Sequence, residues 1–137
     1  MWIRSRHLAG NIAAASILLV KASIAQAGEG VPVAGTWRGD SVCTTAAPSC
    51  QSEAVVYYIA DVPDRPDLVT IRADKTVDGK AITMGTGQWT HDRDHHTLEW
   101  RTTERIWLLV IKGNRIEGTL TLADGTVVRK MTLKKDE

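Results

Sequence analysis

From residue 33 to the end of the chain, apolar and polar side chains alternate, and turn signals recur about every ten to twelve residues. No stretch there holds a useful 3.6-residue period. The alternation predicts eight strands. The first, over 33–43, sets Gly35, Trp37, Gly39 and Ser41 on one face. The second, 53–60, is apolar on both faces. Pro63 and Pro66 then break the chain. The third, 67–74, groups Val69, Ile71 and Ala73. Asp78-Gly79 is a hairpin turn signal. The fourth, 80–90, aligns Ile82 with Met84, and Gly85 and Gly87 inside it suggest a bulge or bend before Trp89. The fifth, 95–101, puts Leu98 and Trp100 together. The sixth, 104–112, contains IWLLVI and is again apolar on both faces. The seventh, 115–122, alternates Ile116, Gly118, Leu120 and Leu122 against polar neighbours. The eighth, 126–134, aligns Val127, Arg129, Met131 and Leu133.

Short links favour antiparallel neighbours, because a parallel pair needs a long crossover. Eight strands in up-and-down order leave two exposed edges unless the first meets the last. Closure removes both, and eight strands enclose space for side chains or one small ligand. The expected fold is therefore all-β, an eight-stranded antiparallel up-and-down barrel. A sandwich of two sheets is the alternative.

The first 27 residues read differently. Arg4 and Arg6 precede an uncharged, mostly apolar run from Leu8 to Val20, and Ala25-Gln26-Ala27 follows as a small-x-small cleavage pattern. The run is too short to span a bilayer. Residues 1–27 are thus expected to be a signal peptide and 28–137 a single domain, placed in the periplasm or outside the cell. Of the 17 Lys and Arg, three (Arg4, Arg6, Lys21) fall in this segment without an acid. The remaining 110 residues carry 14 basic and 16 acidic side chains. That balance excludes a strongly basic nucleic-acid binder, and no second apolar run reaches membrane-spanning length. Cys43 and Cys50 close an eight-residue loop around Ala46-Ala47-Pro48. In an oxidising compartment they are expected to pair, which is worth about 2.5 kcal/mol in the chain-entropy model.

Gly35-Thr36-Trp37 near the start of the first strand resembles the G-x-W signature of lipocalins and related barrels, the calycin group. In that group the first-strand tryptophan packs at the closed end and an arginine from a late strand lies across it. The resemblance implies the same structural part for Trp37. Arg129, which shares a face with Val127, Met131 and Leu133, is the candidate for the cation, because an arginine on an apolar face can stack on an indole. GTWRGDSVC, ADKTVDGK and IEGTL also resemble segments of small secreted bacterial proteins with no assigned activity.

Candidate chemistry is sparse. His91-Asp92-Arg93-Asp94-His95-His96 is the densest titratable cluster, and its residue types suit zinc or copper. However, His95 and His96 point to opposite faces of a strand and Arg93 would repel a cation, so a solvated turn is the better reading and no metal is expected. Motifs for serine, zinc or phosphate chemistry are missing. Ser41, Ser49 and Ser52 carry no triad signal, and Glu53, Glu99 and Glu117 read as strand charges. Arg38-Gly39-Asp40 spells an adhesion tripeptide but falls inside a strand. Lys130, Lys134 and Lys135 beside Asp136 and Glu137 read as a solvated end.

Three readings of function remain. The first is non-enzymatic binding of a small apolar ligand, without a cofactor, in a pocket drawn from Tyr58, Met84, Trp89, Trp100 and Leu120. The second is a protein-interaction module, such as an inhibitor of an exported enzyme. It draws on the two strands that are apolar on both faces, which a homodimer or a target protein would cover. The third is an exported hydrolase.

Overall fold

A computed structural model describes residues 31–137. The expected signal peptide lies outside the described residues. Eight strands follow in order: β1 (Gly35–Cys43), β2 (Glu53–Val62), β3 (Arg65–Val77), β4 (Lys80–Asp92), β5 (Thr97–Arg101), β6 (Arg105–Lys112), β7 (Arg115–Leu122) and β8 (Val127–Lys135). Each pairs antiparallel with the next, and β1 pairs with β8 over Trp37–Cys43, so the sheet is a closed barrel. The two-sheet alternative is excluded.

Turn chemistry sets the hairpins. At the β3–β4 turn both Asp78 and Gly79 have positive φ, 50° and 78°, the handedness that matches strand twist in a two-residue loop. Pro66 does not break the chain as expected; it lies inside β3, next to a register shift opposite Asp61 and Val62. An irregular stretch tolerates the missing N–H.

Alternation then sorts the side chains. Inward positions Trp37, Val55, Ile71, Leu98, Leu109, Ile116 and Leu133 are all fully or almost fully buried and form the core. The strands that are apolar on both faces behave asymmetrically. On β2, Val55, Tyr57 and Ile59 are buried, whereas Tyr58 is only half-buried. Its ring carries the Arg72 guanidinium, 4.1 Å from the centroid. On β6, Leu109 is buried, and the outward Leu108 and Val110 are half-buried, opposite Thr119 and Glu117. On β2 the long Arg72 side chain thus covers part of the outer apolar surface.

The two ends of the barrel differ. One end is filled by Trp37, whose Nε1 donates to the Val33 carbonyl at 2.8 Å, so the segment before β1 closes it. Trp37 has no exposed surface. The cation over it is Lys135, with Nζ 5.7 Å from the ring centroid. Arg129 does not fill the role expected of it. The β1–β8 register sets Trp37 opposite Lys135 and Cys43 opposite Arg129, which puts Arg129 at the other end of the barrel on the same inner face. Lys135 is likewise not part of a solvated tail, because β8 continues through it. Its Nζ also donates to the Pro32 carbonyl.

The disulfide between Cys43 and Cys50 is formed. It closes the loop leading out of β1, and Ser52 Oγ accepts from the Cys43 N–H at 3.1 Å.

Candidate functional site

The barrel wall is not uniform. Neighbouring strands pair over at least five residues, with one exception. β4 meets β5 only through Thr90, His91 and Asp92. The rest of β4, back to Lys80, pairs with β3 alone. Its residues from Ala81 to Thr86 are exposed. A register shift near Thr83–Gly85, the bulge that the glycines suggested, bends this segment.

An apolar cavity of about 180 Å³ sits at this parting. Met84, Gly85, Thr86 and Gly87 form one side, and Trp100 and Trp107 the other. Tyr57, Ile71, Ala73 and Trp89 form the floor. The glycines help make the space: a Cβ added at Gly85 or Gly87 would meet nothing within 4 Å. Trp89 and Trp100 face each other with ring centroids 6.1 Å apart at 40°. Trp89 is buried at 6% exposure, while Trp100 keeps 45% and Met84 44% of their surface in water. The mouth is thus apolar and open to solvent, an arrangement suited to a ring-sized ligand.

Three of the five expected pocket residues, Met84, Trp89 and Trp100, come together here. Tyr58 does not, because β2 turns Tyr57 inward and Tyr58 out to Arg72. Leu120 is inward and buried beside Trp107, but it packs behind the indole instead of lining the space. Tyr57 and Trp107 take their places. Trp107 lies opposite Trp100 in the β5–β6 register, a pairing that could have been read from the short link between those strands.

Tyr57 joins the cavity to a second inward layer. Its ring lines the space and its hydroxyl donates to Met131 Sδ at 3.4 Å. Burial pushes its pKa up to about 12, so the phenol stays protonated at neutral pH. Beyond it, toward the end opposite Trp37, four polar side chains point inward. Arg129 Nη1 donates to Ser41 Oγ at 3.1 Å, and Lys75 Nζ lies 3.4 Å from Glu53 Oε1. Ser41 is 4% exposed.

The remaining candidates are scattered. Asp92 caps the His91–His96 turn, accepting from the His95 N–H at 3.1 Å and pairing with His95 Nδ1 at 2.8 Å. Among the described residues, no three His, Cys, Asp or Glu side chains converge to hold a metal ion. His91 faces a broader hollow of mixed character near the closed end, with Asp61, Arg93 and His96 on one side and Val31, Val33 and Ile111 among its apolar lining. Burial lowers its pKa, and its Nδ1 has no hydrogen-bond partner. Glu99 pairs with Arg101 and Glu117 with Lys112 on the outer surface, far from the inward Glu53. Arg38 is bound to Asp136 at 2.7 Å.

No family model and no curated protein matches the chain.

Proposed function

We propose that this protein is an exported, lipocalin-like barrel that binds one small apolar molecule of about single-ring size. The observation that carries the reading is the apolar cavity of about 180 Å³ where β4 parts from β5 and β6. A cavity of roughly 150 Å³ lined by apolar side chains is enough to take up benzene. Kinship with the calycin group is supported by the closed eight-stranded meander, by the buried Gly35-Thr36-Trp37 tryptophan and by a late-strand cation over its ring, here Lys135. Export is supported by the Cys43–Cys50 disulfide, which an oxidising compartment preserves. No helix among the described residues is long and apolar enough to cross a membrane.

Titration calorimetry with toluene tests the binding reading. A saturable single-site isotherm is expected. Absence of heat up to the solubility limit of toluene would overturn it.

One observation favours the second reading, a protein-interaction module. Ile82, Met84 and Trp100, each 44–45% exposed, line the unpaired side of β4, where an extended segment of another protein could add as a strand.

A further inference from the structure

The inner face toward the end opposite Trp37 carries a charge imbalance. Ser41, Glu53, Lys75 and Arg129 all point inward there, from β1, β2, β3 and β8. Glu53 and Lys75 answer each other at 3.4 Å. Arg129 makes no ion pair within 4 Å among the described residues, and the nearest inward carboxylate by register, Glu53 opposite Ser41, is taken by Lys75. The one hydrogen bond of Arg129 there goes to the neutral Ser41 hydroxyl. A guanidinium has five N–H donors and is never deprotonated in a protein. Held half-buried with most of those donors unanswered, it is a ready receptor for an anion.

This cation does not line the cavity but is joined to it through Tyr57, whose ring does. Ser41, which Arg129 binds, is opposite Met131 in the β1–β8 register, and Met131 Sδ accepts the Tyr57 hydroxyl. Burial is the largest influence on that phenol and raises its pKa; Arg129 draws it down and Glu53 pushes it up, so both charges face the Tyr57 hydroxyl. The Tyr57 side chain thus runs from the apolar floor to the cationic layer. A ligand lying alongside it would meet indoles at one end and a guanidinium at the other. Glu53 would oppose an anion here, but Lys75 offsets its charge, which leaves the layer at net +1.

Resting on the apolar-cavity reading, we propose that the ligand is a one-ring monocarboxylate. Its ring lies between Met84, Trp89 and Trp107, and its carboxylate is held by Arg129 with the neutral Tyr57 hydroxyl nearby. No bond is made or broken, and the recognition is a charge-assisted hydrogen bond added to an apolar contact.

Paired ligands separate the two parts of the proposal. Benzoate, phenylacetate and 3-phenylpropionate are titrated calorimetrically against benzyl alcohol, 2-phenylethanol and 3-phenylpropanol. For at least one chain length the acid should bind about tenfold more tightly than its alcohol, the effect expected of a hydrogen bond to a charged group. That preference should shrink with added salt. Arg129→Met, checked for folding by its thermal melt, should bring the acid down to the level of its alcohol. Glu53→Gln removes an opposing charge and should tighten acid binding, so the proposal does not hang on one variant. Equal affinity of acids and alcohols in the wild type would overturn the carboxylate proposal and leave the cavity reading standing. An acid preference that survives in Arg129→Met would do the same. Failure of all six ligands to bind would overturn both.

Discussion

Lys135 holds its ammonium over the ring of Trp37, 5.7 Å from the centroid, and so joins the end of the last strand to the start of the first. Gly35 makes this approach possible. A Cβ there would come within 2.8 Å of Lys135 Cε, and the φ of 139° disfavours any other residue. Lys135→Met keeps much of the stem but removes the charge and the hydrogen bond to Pro32. It should lower stability by about 1–2 kcal/mol, and Trp37→Ala by about 3–5 kcal/mol. Urea unfolding of the two variants measures both.

Gly39 is required by packing. It faces inward opposite Leu133, and a Cβ would lie 1.8 Å from the Thr132 carbonyl oxygen, which is backbone and cannot swing aside. Gly39→Ala should therefore cost about 1–3 kcal/mol or more. Gly85→Ala has open space and should leave stability within about 1 kcal/mol of the wild type. The contrast in urea midpoints tests this, and it accounts for Arg38-Gly39-Asp40 as barrel packing.

Tyr57 makes stability depend on pH at the alkaline end. Its pKa is pushed from 10 to about 12 by burial, so the folded protein holds the phenolic proton more tightly than the unfolded chain does. The resulting stability is fully present below pH 10 and is lost as pH rises toward 12. Its size is roughly 3 kcal/mol, from two pKa units. Tyr57→Phe should be less stable than the wild type near pH 8 by the lost hydrogen bond, and its stability should fall less steeply between pH 10 and 12. Urea unfolding at a series of alkaline pH values gives both slopes.

The strands are legible in the sequence because a period of two, punctuated by turns such as Asp78-Gly79, has few other solutions, whereas the choice of a closed barrel over a two-sheet sandwich rests on the β1–β8 pairing. The same period fixes which face a side chain takes but not its height along the barrel. For that reason Arg129 can be placed on the inner face, whereas its distance from Trp37 depends on the β1–β8 register, which pairs Trp37 with Lys135. On β2, apolar residues occupy both faces, so alternation cannot choose between Tyr57 and Tyr58. The charge of Arg72, on the neighbouring strand opposite Tyr58, marks the outer face. Met84, Trp89 and Trp100 were readable as a group because each is apolar on a strand near a break. The parting of β4 from β5 was not, since it depends on how few residues pair.

The central claim is that the space between β4 and β6 receives a ring-sized molecule. Its most direct test is the tryptophan indole N–H region of the proton–nitrogen NMR spectrum, recorded while toluene is added. The account predicts saturable shifts for Trp89, Trp100 and Trp107, which line the cavity, and a stationary signal from Trp37, whose N–H is bound to Val33 at the closed end. Stationary signals from all three cavity tryptophans, or a shift largest at Trp37, would contradict it.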